Sequence, residues 1–164
     1  MTLLFSGCVS ELNGSGFDGG HYYEYCDGIK VTYLVFSSEQ LGEETVKSIA
    51  SEKISSVKRA VSLVKKYSEE YAPSLSKIDE IEISKDSPSA AHYVWGGDGI
   101  VFNDFGVSFG GNCSGEKKWD VGRAAVLVHE LCHVKQYYDV LEASEGECQA
   151  AQESFTDEVS EKEC

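Results

Sequence analysis

Residues 129–133 read His129-Glu130-Leu131-Cys132-His133, and that spacing has a chemical use only on an α-helix. There, positions i and i+4 stand one turn apart on a single face, so two imidazoles can converge on one ion. Glu130 projects beside the same face, within reach of a water held at that ion. The residues leading into the run, Val126, Leu127 and Val128, are apolar and suit a helix packed against a core.

The rest of the chain supplies the elements around that helix. A hairpin is expected from His21–Cys26 and Ile29–Phe36, because aromatic and β-branched residues flank an Asp27-Gly28 turn that needs positive φ. Between about Glu39 and Tyr71, Val46, Ile49, Ile54, Val57, Val61 and Val64 recur near helical spacing, with Glu and Lys between them and Pro73 beyond. Ile78–Ser84 alternates as a short, half-buried strand. Ala91–Trp95 and Ile100–Phe105 form a second strand pair across a glycine-rich turn. Residues 106–118 read as loop, Asp120 as the N-cap of a motif helix from about Val121 to Tyr138, and Ser144 as the cap of a last helix over Glu145–Val159 with a fraying tail. The predicted fold is α+β in one domain over residues 21–164, preceded by a flexible glycine-rich segment, 1–20.

Charge narrows the partners. A formal net charge of −14 offers no basic face for nucleic acid or an anionic membrane. It is read as a solvated acidic surface, although acidity would also favour cationic substrates. No segment is long enough to span a bilayer. Six cysteines without a C-x-x-C pair argue for disulfides in an oxidising compartment over a cysteine–zinc site. Leu3-Leu4-Phe5-Ser6-Gly7-Cys8 resembles the end of a bacterial lipoprotein signal, but it lacks a basic stretch and a full apolar run. Export, with a tether through Cys8 in one version, is the expectation, and a cytoplasmic location the alternative.

Two histidines leave a catalytic zinc one protein ligand short. No histidine follows His133, so a carboxylate must complete the set, and residues 142–153 offer Glu142, Glu145, Glu147 and Glu153. With the motif and these carboxylates together, the chain resembles the gluzincin zinc metallopeptidases, specifically the small single-subdomain minigluzincins. In that group the third ligand is a glutamate on the following helix, often within E-x-x-A-D, and Glu147-Cys148-Gln149-Ala150-Ala151 is similar to that run. The resemblance therefore implies a zincin-like fold and zinc held by His129, His133 and Glu147. Ala151 stands where such families often carry an aspartate that supports a ligand histidine, which leaves the role to another acceptor. Lys135 departs from the hydrophobic residue usual there. The likeness follows element order over about residues 39–160, is specific only at 126–134, and is weaker at 147–150.

What the resemblance implies chemically is peptide hydrolysis. Zinc activates a water and polarises the carbonyl, and Glu130 acts as general base. The strand around Ile100–Phe105 would be the edge that receives an extended peptide or protein substrate, and Tyr137 or Tyr138 an oxyanion partner. The blander assignments stand beside these. His21 and His92 are ordinary strand histidines, and Tyr137 is a core aromatic at a helix end. Cys132 is a small buried thiol, or else half of a disulfide to Cys148 that pins the two ligand-bearing helices. The alternative function is a non-catalytic binding or cell-surface module stabilised by zinc. A latent enzyme, with the N-terminal segment or Cys8 over the metal, is a third. The sequence carries no mark of oligomeric state.

Overall fold

The computed structural model describes residues 21–35, 42–85, 89–94, 97–103 and 111–164. The expected N-terminal tether and the Cys8 anchor lie outside these residues. The chain runs β1 (His21–Cys26), β2 (Ile29–Leu34), α1 (Glu43–Tyr67), a 3₁₀ turn (Ala72–Lys77), β3 (Glu80–Ser84), β4 (Ala91–Tyr93), β5 (Gly99–Asn103), α2 (Gly115–Tyr138) and α3 (Glu145–Glu163). This is a mixed α+β architecture, as the sequence predicts.

The strands form one sheet in the order β1-β2-β3-β5-β4. The inner three strands are parallel, and β1 and β4 run antiparallel at the two edges. Positive φ at Asp27 (53°) and Gly28 (87°) makes the β1–β2 turn of the expected kind. One face alternates as Val31, Tyr33, Ile81, Ile83, Ile100 and Phe102, all buried. The other carries Lys30, Thr32, Glu80 and Glu82, with Lys30 paired to Glu80 at 2.9 Å. Period-two alternation thus puts the buried apolar residues of the central strands on one side of the sheet, while Val101, Tyr23 and Tyr25 lie on the other.

That side is covered by helices. α1 turns Val46, Ala50, Ile54, Val57, Val61 and Val64 inward, each burial stabilising by roughly 1.5–3 kcal/mol for the valines and isoleucines. It ends four residues before the expected Tyr71, because Ser68 leaves helical φ/ψ ahead of the turn that begins at Ala72-Pro73. Glu24 reaches from the inner face of β1 into this layer and meets Lys58 of α1 at 2.6 Å, with only 5% of its side chain accessible.

α2 lies deepest, with Val121, Ala124, Ala125, Leu127, Val128, Leu131 and Val134 buried around its circumference, as expected of a helix with neighbours on several sides. It begins at Gly115, with Ser114 at the N-cap position, six residues earlier than the expected start. Asp120 does not cap it. Its carboxylate accepts from Ser56 Oγ at 2.9 Å and pairs with Arg59 at 2.7 Å, tying α2 to α1. The polar first turn, Glu116 to Lys118, reads as loop in the sequence because it faces solvent. α3 is capped by Ser144, whose hydroxyl accepts from Glu147 N–H, and it runs on to Glu163 instead of fraying after Val159. A Cys113–Cys164 disulfide and the Glu163 pairs with Lys66 and Lys117 hold that end down.

The second disulfide joins Cys132 of α2 to Cys148 of α3, so Cys132 is not the buried free thiol of the first assignment. Two disulfides among the described residues fit an oxidising compartment. No helix among the described residues is long and apolar enough to cross a membrane.

Two predictions follow from the packing. Lys58→Met strands a buried carboxylate, so it should lower the unfolding free energy by about 3 kcal/mol in urea titrations. Adding Glu24→Gln to it should recover most of that loss. The second concerns Glu163, which hydrogen bonds from Lys66 and Tyr67 hold down at about 2 against an ordinary 4.5. Because the folded value is the lower one, its contribution is full above pH 4.5 and is lost as pH falls towards 2. Glu163→Gln should therefore flatten the acid limb of Tm against pH in that window, modestly, since solvent screens the group.

Candidate metal centre

α2 presents His129 and His133 on one face, and their Nε2 atoms lie 3.2 Å apart. The first turn of α3 brings Glu145 over them, with Oε1 3.1 Å from His129 Nε2 and Oε2 3.2 Å from His133 Nε2. Among the described residues, this is the group of histidine, cysteine and acidic side chains whose ligand atoms converge closely enough to hold a metal. Two donors about 2.0–2.1 Å from one tetrahedral ion stand about 3.4 Å from each other. The Nε2–Nε2 separation is close to that, and each Nε2 has a different oxygen of Glu145 at a similar distance. The imidazoles are 10% and 13% accessible while the Glu145 side chain is 76% accessible, so the cluster is walled on the helix side and open on the carboxylate side.

The histidine protonation states also suit a cation. His133 Nδ1 is 3.2 Å from Gln136 Oε1, an acceptor only, so Nδ1 carries a proton and, in the neutral ring, Nε2 turns a lone pair to the cluster. Burial lowers the His129 pKa, with Glu145 opposing and His133 adding to the shift. A neutral imidazole is the ligating form. His129 Nδ1 is buried with no hydrogen-bond partner among the described residues.

Glu130 is buried beside this pair. Its Oε2 accepts the Tyr93 backbone N–H at 2.7 Å, and desolvation, partly offset by that bond and by His133, pushes its carboxyl up to about 7. Tyr93 belongs to β4, the true sheet edge. β5, expected in that role, lies between β3 and β4. The edge assignment moves because the Gly97–Gly99 turn folds β4 back outside β5, where Tyr93 meets α2.

Glu147 does not reach the imidazoles. It takes the third position of α3, its N–H on the Ser144 cap, and its Oε2 accepts from Gln136 Nε2 at 3.1 Å. Residues 145 and 147 stand about 200° apart on a helix, so only one of them can face α2's histidines. Ser144-Glu145-Gly146-Glu147 has the capping-box form in sequence, but only half of it is made: Ser144 Oγ accepts Glu147 N–H, while Ser144 N–H donates to Gln136 Oε1 and the Glu147 carboxylate accepts from Gln136. Tyr137 sits at the exposed end of α2, its ring edge-on to Tyr93 with centroids 6.1 Å apart. It therefore packs against the residue that holds Glu130. Lys135 pairs with Glu70 of the post-α1 turn at 2.8 Å, which accounts for a charge next to the motif.

Three cavities border α2 among the described residues, and two of them lie beside the motif. The larger, about 650 Å³, opens on a different face, past Cys132, Lys135, Glu147 and Tyr71. The smaller, about 200 Å³, is lined by Ala90, Val126, His129, Glu130, Gln149 and Gln152. The chemistry belongs with the smaller, since it alone touches the imidazole and the buried carboxylate.

No family model matches the chain, and no characterised protein or solved structure is similar to it at a significant level.

Proposed function

We propose that the chain is a zinc-dependent metallopeptidase, with His129, His133 and Glu145 as the ligands and Glu130 as the general base. The observation that carries this reading is the convergence of two imidazole Nε2 atoms and the Glu145 carboxylate, beside the buried Glu130 carboxylate, which is not needed as a ligand. When bound there, zinc supplies Lewis acidity and an activated water at neutral pH.

The chain's own residues do the rest. Tyr93 N–H occupies Oε2 of Glu130 and fixes the carboxylate, so Oε1 takes the proton of the attacking water and returns it to the departing amine. β4 is the sheet's edge strand, but its outward Tyr93 N–H is already taken by Glu130, so an extended peptide would approach from the open Glu145 side of the cluster. The parallel β2-β3-β5 core, the antiparallel edge β4 and the ligand helix beneath it support a zincin-like arrangement. Glu145 takes the ligand role that the resemblance gives to Glu147. The two disulfides support action outside the cytoplasm, secreted or tethered.

Metal analysis of purified protein tests the ligand set: one zinc per chain is expected, retained by Glu147→Gln and lost by His133→Ala and by Glu145→Gln after dialysis. Glu130→Gln should keep the metal and lose about 10²–10⁴ in kcat on unfolded protein substrates. Full zinc occupancy with no cleavage by the native chain of any denatured protein or peptide library would instead leave a zinc-stabilised binding module.

A further inference from the structure

We propose that Gln136 is the positioning residue of this centre, setting through one carboxamide both the ring state of His133 and the place of Glu145. The inference rests on the metal reading above and goes beyond the ligand set. Gln136 is 3% exposed, one helical turn past His133. Its Oε1 meets His133 Nδ1 at 3.2 Å and accepts Ser144 N–H at 3.2 Å. Its Nε2 donates to Ser144 O at 3.4 Å and to Glu147 Oε2 at 3.1 Å. Its backbone carbonyl accepts Leu141 N–H at 2.8 Å.

Each contact fixes the next. A backbone N–H can only donate and a carboxylate can only accept, so Ser144 and Glu147 between them allow one orientation of the amide. That orientation aims an acceptor at His133 Nδ1, and the proton must then reside on Nδ1, leaving Nε2 free of it. The same amide grips both backbone groups of Ser144, the residue just before Glu145. The loop between α2 and α3 is thus anchored to the helix that bears the histidines, and Glu147 serves as the outer brace of the amide. This is the support that Ala151 cannot give, supplied from the motif helix instead of from α3.

Packing alone would be satisfied by a methionine of similar length. Gln136→Met should therefore keep the far-UV circular dichroism and both described disulfides, yet weaken zinc 10–100-fold in competition with a chromophoric chelator. It should also alter the visible d–d spectrum of the cobalt(II)-loaded protein, a readout of ligand geometry that packing would not move. The exchange Q136E/E147Q restores acceptors for His133 Nδ1 and Ser144 N–H and a donor behind them, giving up only the long bond to Ser144 O, so it should bind zinc within about tenfold of the native chain. Native zinc binding with Gln136→Met within twofold and an unchanged cobalt spectrum would overturn the inference while the metal reading stands. If Gln136→Met does not fold, loss of zinc by the folded exchange variant overturns it equally. A native chain that takes up no zinc removes both.

Discussion

The seam between α2 and α3 decides whether the candidate centre exists. His129 and His133 belong to one helix and need nothing beyond its pitch to face the same point, but the third donor arrives from a separate element. Three contacts hold that element in place. The Cys132–Cys148 disulfide crosses the seam one turn into α3, Gln136 ties the loop before it, and Ser144 caps its first turn. Closing so short a loop removes about 3 kcal/mol worth of freedom from the unfolded chain in the loop-entropy account. More important here, it limits α3 to small excursions relative to the imidazoles.

The electrostatics of the cluster argue in the same direction. Burial drives His129 towards its neutral form and Glu130 towards its protonated one, so the interior resists charge at both positions. Yet the two Nε2 atoms face each other at 3.2 Å, and with Nδ1 of His133 protonated, its Nε2 has only a lone pair to offer. Lone pairs brought together without a bridging positive charge repel. A divalent ion between them removes that conflict and also compensates Glu145. Without an ion, a proton on His129 Nε2 shared with Glu145 Oε1 would serve the same end.

Much of this was legible in the sequence, for reasons that particular residues make plain. Asp27-Gly28 specifies its turn locally, and the valine and isoleucine positions of α1 specify its buried face, so both elements appear where expected. The motif helix is recognisable for the same reason. What the sequence does not reveal is which carboxylate turns inward and which strand lies outermost. Glu145 and Glu147 differ by two positions on a helix whose rotation is set by Cys148 and by the Gln136 contacts to Ser144 and Glu147, a tertiary matter. β4 and β5 are equally plausible edges until the sheet order is known. Cys132 likewise reads as a core thiol until Cys148 is placed against it.

The sheet and the site meet at Tyr93. Val94 N–H donates to Gly99 O and Asn103 N–H to Ala90 O, so the peptide groups at 91 and 93, out of phase with these, turn away from β5. The N–H of Tyr93 is then directed at α2, where Glu130 takes it. A short edge strand thereby does two things that a helix alone could not. It provides the directional donor that keeps one carboxylate oxygen fixed in a site with little water, and it ends at that carboxylate. β4 can be only three residues long and still place that donor, because most of the burial that stabilises the sheet comes from β2, β3 and β5.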